Sequence, residues 1–317
     1  MTNISIYAHG DINVASTRLR AHYLFLPAQK NGYKTYYNES FFSALKRDVL
    51  YLQMVYKPKN FLQALIFRML RKKVIFDIDD AALFIKHKLF MLLMSNIASI
   101  ITVDTNARKL FWIKRTISKN IKVVRDAIDI NPDGLKFSRR KLAKNGGILW
   151  IGNRENLHSI VPLFKLNEIY NQREIYVASN FERADPIKLA YKKINFLDWQ
   201  LNISFNTSEI NASFMVLNHL SSSDKYSQYK SENKMVTAIA SGLIPIVSAS
   251  PAYLELASKL DAEKLVFQSL DDVPEILNSL DEVWMHKFSQ KAQEFIKTYY
   301  SHTKVFADFK RLVLDSS

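Results

Sequence analysis

Short β-prone runs alternate with helical patterns along most of this chain, and the alternating series occurs twice. Alternation of this kind is typical of a parallel sheet covered by helices on both faces. We therefore predict an α/β protein whose strands are Ile4–Tyr7, Tyr33–Tyr37, Val49–Gln53, Val74–Ile78, Ser99–Val103 and Ile121–Val124 in the first half, and Gly147–Ile151, Glu174–Ala178, Ser213–Leu217, Ile244–Val247 and Leu265–Phe267 in the second.

The alternation stops between Leu135 and Asn145, in a polar and basic stretch. A chain of 317 residues can bury two cores of ordinary size. The break therefore predicts two consecutive α/β domains, residues 1–144 and 145–317. The chain ends in a segment with helical periodicity, which we expect to pack back on the first domain.

Composition excludes several kinds of site. The chain has no cysteine, which removes disulfides, thiolate nucleophiles and Cys-ligated metals. No two of its seven histidines have metal-ligand spacing on one helix face. Met1–His9 reads as a strand and not as a signal peptide, and no run is apolar enough to span a bilayer. We therefore expect a cytoplasmic protein. The net charge of +14 indicates either attraction to anions or a lysine-rich, solubilising surface.

The first loop joins the first predicted strand to a helix. It contains His9 and Gly10, and the helix carries Arg18 and Arg20. Because a helix N-terminus has a partial positive charge, Arg18 would make this end a phosphate or carboxylate site. The two arginines lie about 200° apart on an α-helix, so at most one faces such a site. The alternative is a surface helix with two solvated arginines.

Three carboxylates, Asp77, Asp79 and Asp80, close the fourth predicted strand. Their mutual repulsion must be offset by a cation, an arginine or proton uptake. Two functional interpretations remain open. Asp79 or Asp80 is a general base with a raised pKa, or Asp77 and Asp79 hold a divalent metal in an Asp-x-Asp site. An acidic loop that caps the next helix is the structural alternative.

Gly152, Asn153 and Arg154 follow the first strand of the second half. A tight turn with an arginine beside it is a plausible cradle for a diphosphate. Asn156 is predicted to cap the helix that follows.

The most distinctive local pattern is a helix that begins at Ser231, its predicted N-cap, and ends at Gly242. Lys234 lies in the first turn, where the helix dipole disfavours a cation. A bound anion would offset this small cost, although many first-turn lysines point into water.

This segment resembles the donor-binding helix of GT-B glycosyltransferases. Leu149–Asn156 is similar to the loop that opens the C-terminal domain of those enzymes. Ser16–Arg20, Asp77–Asp80 and Val123–Asp129 are similar to N-terminal landmarks of the bacterial surface-polysaccharide (capsule and O-antigen) members. The segments follow the family's order over most of the chain. The residues that match the donor helix are Asn233, Lys234, Ala238, Ala240, Gly242, Pro245 and Ile246.

The resemblance implies two Rossmann-like domains that face each other across a cleft. It implies transfer of a sugar from a nucleoside-diphosphate sugar to a glycan or lipid-linked acceptor, with no tightly bound cofactor and no metal. Residues 1–144 would form the acceptor side and residues 145–317 the donor domain. If the enzyme inverts, Asp79 or Asp80 would deprotonate the acceptor, with His9 as the alternative base. The implied donor-binding residues are Gly10, Arg18, Gly152, Asn153, Arg154, Ser231, Glu232, Asn233, Lys234 and Thr237.

One feature departs from the family pattern. Many retaining members place two glutamates eight positions apart, and this chain has Tyr229 and Thr237 at the matching positions. The sugar and ribose contacts of those glutamates therefore do not carry over, and neither does the retaining stereochemistry. Glu232 is a candidate partial substitute.

The basic amphipathic segment Phe61–Lys73 favours peripheral contact with an anionic membrane, where a lipid-linked acceptor would lie. Alternatively, its apolar stripe packs on the sheet. Two other functions remain open: a metal-dependent GT-A-like transferase, and a non-catalytic basic α/β protein that binds nucleic acid. The sequence contains no zinc-finger spacing or RNP-like run to support nucleic-acid binding.

Overall fold

The chain divides into two compact units. The first comprises Met1–Asp129, Tyr229–Ser231 and Tyr299–Ser317, and the second comprises Ile130–Gln228 and Glu232–Thr298. Residues 135, 136, 138 and 139 of the predicted linker lie outside the described residues. The computed structural model describes residues 2–55, 57–80, 87–118, 120–130, 137, 140–170, 173–182, 185–199, 210–219 and 226–315.

The first unit contains a parallel sheet with strand order β2-β1-β3-β4-β5-β6. Ile4 of β1 lies opposite Thr35 of β2 and Val49 of β3, and Asp77 of β4 lies opposite Thr102 of β5. The strands are β1 Thr2–Tyr7, β2 Tyr33–Tyr37, β3 Val49–Gln53, β4 Lys73–Asp77, β5 Ile100–Val103 and β6 Ile121–Val123. The α-helices of this half of the chain are α1 Ala15–Thr17, α2 Phe41–Leu45, α3 Pro58–Met69, α4 Lys88–Ile97 and α5 Asn106–Ile113.

The second unit contains a parallel sheet with strand order β12-β11-β10-β7-β8-β9. Its central strands β10 and β11 are buried along their whole length, as expected for strands covered on both faces. The strands are β7 Gly147–Ile151, β8 Ile175–Ser179, β9 Asn195–Asp198, β10 Ala212–Leu217, β11 Ile244–Ser248 and β12 Val266–Phe267. The remaining α-helices are α6 Val161–Tyr170, α7 Pro186–Ala190, α8 Asn233–Ala240, α9 Pro251–Lys259, α10 Val273–Ser279, α11 Glu282–Tyr300 and α12 His302–Phe309.

Residues from the C-terminal segment complete the core of the first unit. The Phe25 ring packs edge-on against Phe309 with ring centres 5.3 Å apart, and Phe306 belongs to the same buried cluster. Lys73 Nζ donates to the carbonyl oxygens of Val313 at 3.0 Å and Leu314 at 2.8 Å. Val313 and Leu314 are therefore fixed to the start of β4.

The predicted α/β class with two parallel sheets is confirmed. One strand, β9, was not predicted. None of the described helices is long and apolar enough to cross a membrane.

Candidate functional site

In each sheet, polar side chains gather at the carboxyl ends of the strands, the edge where open α/β sheets bind ligands. In the first unit the loop after β1 is tied to this edge. The His9 amide donates to Gln53 Oε1 at 3.0 Å, and the Gly10 amide donates to Thr17 Oγ1 at 3.1 Å. The His9 side chain itself is exposed. The loop is therefore held over the end of β3.

Arg18 is buried and makes a two-bond ion pair with Asp129. Its Nε and Nη2 donate to the two carboxylate oxygens at 2.7 and 2.8 Å, and Nη1 donates to the carbonyl of Ile12 at 2.9 Å. The predicted alternative of solvated surface arginines is therefore wrong. Arg18 fixes the loop that contains Ile12, and Asp129 compensates its charge.

Arg20 is also buried. The chain forms a π-helical turn over Arg18–His22 in place of the predicted regular α-helix. Its Nε donates to Asp77 Oδ2 at 3.1 Å, Nη2 bonds to Asp77 Oδ1, and Nη1 donates to Asp126 Oδ1 at 3.3 Å. Thr102 Oγ1 donates to Asp77 Oδ1 at 2.5 Å. An arginine therefore offsets the repulsion within the acidic run, as one of the sequence interpretations required.

Asp79 lies beside this pair and accepts a hydrogen bond from Gln53 Nε2 at 3.4 Å. Burial, reinforced by the negative charge of Asp77, raises the pKa of Asp79 to about 7, although Arg108 and Arg20 oppose the shift. A carboxyl group with a pKa near neutrality can take up a proton from a hydroxyl group. Asp80 follows it and is half-buried.

Asp104 and Arg108, which were not predicted from the sequence, extend this cluster. Both are buried, and Arg108 Nη1 lies 2.5 Å from Asp104 Oδ2. Burial raises the pKa of Asp104 well above its usual range. Asp104 directly follows strand β5, just as Asp77 ends β4. An aspartate at the carboxyl end of each of two successive strands was the sequence signal that could have identified Asp104.

Tyr229 and Ser231 belong to the first unit. Arg108 Nη2 donates to the Tyr229 carbonyl at 2.8 Å, and Ser231 Oγ donates to Asp126 Oδ2 at 3.0 Å. The prediction that Ser231 caps the next helix is wrong, because its hydroxyl bonds to Asp126 and Glu232 occupies the N-cap position. The Glu232 side chain makes no capping hydrogen bond.

In the second unit, the loop after β7 meets the first turn of α8. A Cβ built on Gly152 would lie 2.6 Å from two ring atoms of Trp150 and 3.1 Å from Lys234 Nζ. Lys234 Nζ also lies 5.5 Å from the centre of the Trp150 ring, within cation–π range. The absence of a side chain at Gly152 therefore lets the ammonium group lie close to the loop backbone.

Arg154 lies two residues after Gly152. Its guanidinium makes a two-bond pair with Asp185, at 2.6 Å from Nε and 3.0 Å from Nη2. Asn153 is the N-cap residue of the 3₁₀-helix Arg154–Ser159, so the predicted capping role of Asn156 is wrong. Because Asp185 accepts both bonds, the charge of Arg154 is already compensated within this unit.

The N-cap residue Glu232 is buried, and so are Asn233 and Thr237 in the first turns of α8. The neighbouring Tyr253 stacks on His219 with ring centres 4.3 Å apart, and its hydroxyl lies 3.0 Å from His219 Nε2. Burial, and then the negative charge of Glu232, raises the pKa of Tyr253 well above its usual range. Glu232 therefore places a negative charge close to this pair.

The structure brings together Gly152 and Lys234 in one unit, and Asp79 with the loop of His9 and Gly10 in the other. Asp77 is committed to Arg20 and Thr102. In the part of the chain that the structure describes, no three His, Asp or Glu side chains are grouped so that they could hold a metal ion.

Comparison with solved structures identifies the fold. Over 100% of both chains, this chain is similar to HepE of Anabaena in complex with UDP and glucose, with a TM-score of 0.69 and 12% identity. It is also similar to a glycosyltransferase from Rickettsia africae, with a TM-score of 0.62 and 10% identity over 99% of both chains. The fold is GT-B. The predicted alternative of a GT-A-like transferase is therefore wrong.

A third similar structure is WaaG, a glycosyltransferase involved in lipopolysaccharide biosynthesis. Its TM-score is 0.61 at 10% identity, over 99% of this chain and 100% of WaaG. No known family profile matches the sequence. No curated protein sequence matches it either. The GT-B assignment therefore comes from three-dimensional similarity.

Proposed function

We propose that this protein is a glycosyltransferase that moves a sugar from a nucleoside-diphosphate sugar to a glycan or lipid-linked acceptor in cell-surface polysaccharide synthesis. The GT-B fold over the whole chain supports this proposal. HepE, one of the similar proteins, has also been solved with UDP-glucose, and WaaG takes part in lipopolysaccharide biosynthesis.

The contact between Lys234 and Gly152 is the observation within the molecule that carries the proposal. The Lys234 ammonium group lies at the first turn of α8, beside Gly152, which has no side chain. This arrangement can bind a diphosphate. Negative charge grows on the diphosphate as the bond between it and the donor sugar breaks, so a fixed positive charge lowers the barrier. Asn233 and Thr237 would contact the nucleotide or sugar from the same helix.

We assign acceptor deprotonation to Asp79, with Asp80 and His9 as the alternatives. The pKa of about 7 keeps the Asp79 carboxylate available at neutral pH and basic enough to accept a proton. In this proposal the first half of the chain binds the acceptor and the second half binds the donor. Arg18 and Arg154 act by holding their loops, since Asp129 and Asp185 already engage their charges.

Calorimetric titration with UDP, ADP and GDP tests the donor site. Lys234→Ala should weaken binding of the preferred diphosphate by about tenfold or more, since a charge-assisted contact contributes roughly 1.5–3 kcal/mol. The melting temperature should change little, because the helix dipole disfavours a cation at this position. Lys259→Ala, on the surface of α9, is the matched control. A well-folded Lys234→Ala protein with unchanged affinity would contradict the proposed site.

A further inference from the structure

Helix α3 turns several of its large apolar side chains outward. Its inward face consists of Asn60, Gln63, Ala64 and Phe67. Leu62 is 51% exposed and Met69 is 75% exposed, and Leu65 and Leu70 are exposed as well. For these four side chains the predicted packing on the sheet is therefore wrong. A water-facing helix normally shows the opposite arrangement, with its apolar stripe toward the core.

Hydrogen bonds on the inner side fix this orientation. Gln63 Nε2 donates to Tyr7 Oη at 3.0 Å, and Tyr7 Oη donates to the carbonyl of Glu39 at 2.8 Å. Phe67 is fully buried on the same side. Rotating α3 to bury its leucines would break these bonds and expose Phe67. The outward apolar face is therefore built into the packing of this unit.

The neighbouring helix α4 has the same property. α3 joins β3 to β4 and α4 joins β4 to β5, and right-handed crossovers between successive parallel strands place both helices on one face of the sheet. The two helices pack against each other. Leu89 of α4 is 66% exposed, and Leu93 is exposed too. Exposed apolar side chains therefore occupy two adjacent helices.

Cations surround these side chains. Val49–Phe76 contains six lysines and arginines and no aspartate or glutamate, and residues 87–103 also contain no acid. Lys72 and Lys73 donate to backbone carbonyls and have a structural role. The exposed cations are Lys57, Lys59, Arg68, Arg71 and Lys88. We call these residues, with the exposed apolar residues of α3, α4 and Leu70, the α3–α4 surface.

We propose that the α3–α4 surface docks on a bilayer that contains anionic lipids. Leucine and methionine side chains would enter the boundary between headgroups and acyl chains, while lysines and arginines contact the phosphates. A second copy of the chain fits less well, because a symmetric interface would bring two acid-free, cationic surfaces together. This proposal does not depend on the proposed glycosyl transfer.

Vesicle flotation of the full chain tests the proposal. The wild type should bind phosphatidylcholine vesicles that contain about 30% phosphatidylglycerol, and should bind pure phosphatidylcholine much less, because each basic side chain near an anionic surface adds to the attraction. Lys57→Glu with Lys59→Glu should lower partitioning by about tenfold or more. Acids at the start of α3 complement the helix dipole, so this variant should remain folded.

Leu62→Gln with Met69→Gln tests the apolar part and should lower partitioning by about tenfold or more. The matched controls are Ile169→Gln with Val283→Gln and Lys192→Glu with Lys193→Glu, which change exposed residues of the second unit and should bind like the wild type. Failure of the wild type to bind anionic vesicles at low salt would overturn the proposal. Vesicle binding by both α3 double variants that equals that of the wild type would also overturn it. So would a wild-type protein that binds no vesicles and forms a dimer that Leu62→Gln with Met69→Gln converts to a monomer.

Discussion

Arg20 and Asp77 form a buried two-bond ion pair although 57 positions separate them in the sequence. The pair joins the π-helical turn after β1 to the end of β4. Removing one partner of a buried pair leaves an uncompensated charge, which costs about 3–5 kcal/mol. We therefore expect Arg20→Ala to lower the free energy of unfolding by about that amount in urea denaturation. Arg311→Ala, which breaks an exposed pair with Asp308, should change it by about 0.5 kcal/mol or less. Equal effects of the two substitutions would contradict this account.

The pKa of Asp79, about 7, predicts the pH dependence of catalysis. A general base works in its deprotonated form, so kcat/KM should rise about tenfold per pH unit below neutrality and level off above pH 7. Asp79→Asn should lower kcat by about 100-fold or more, with little change in donor affinity. Asp80→Asn should retain the rising limb. If Asp80→Asn removes that limb and Asp79→Asn does not, the base is Asp80.

The same pKa predicts a pH-dependent stability. Between about pH 4 and 7 the folded state holds a proton on Asp79 that the unfolded state has released. The free energy of unfolding therefore falls as pH rises through this range. Above pH 7 the full penalty for ionising the buried Asp79 carboxyl opposes folding. Asp79→Asn removes this penalty, which we estimate at about 2–4 kcal/mol. The variant should therefore melt at a higher temperature than the wild type at pH 8, with a smaller difference at pH 5. The same difference at both pH values would contradict the raised pKa.

Local sequence patterns were enough to predict most strands of both sheets, because the central strands of a parallel sheet are apolar along their length. Tyr33–Tyr37, Val49–Gln53 and Gly147–Ile151 were predicted with the bounds that the structure shows. Strand β9, Asn195–Asp198, was missed because it is a half-exposed edge strand with polar ends, and periodicity cannot separate such a segment from a loop.

The candidate site was only partly predictable. The acidic run Asp77–Asp80 and Lys234 stand out in the sequence because they are charged and lie at the end of a strand or helix. Gly152 stands out because it directly follows a predicted strand. The burial of Arg20 does not, since its partners Asp77 and Asp126 lie 57 and 106 positions away in the sequence and the π-helical turn has no marker there. The sequence left the orientation of α3 open, between contact with a membrane and packing on the sheet, for a related reason. The inner position of Gln63 depends on a hydrogen bond to Tyr7, and periodicity carries no information on that contact.

Gly152→Ala should weaken donor binding through Lys234. The added methyl group would lie 2.6 Å from ring atoms of Trp150 and 3.1 Å from Lys234 Nζ, so the ring and the ammonium group must both move. Loss of the positioned charge should reduce nucleoside-diphosphate affinity by about tenfold. A double-mutant cycle gives the decisive measurement: in the Lys234→Ala background, Gly152→Ala should have a much smaller effect on affinity, because the group that it displaces is already absent. Additive effects in calorimetric titration would show that Gly152 and Lys234 act separately on the donor.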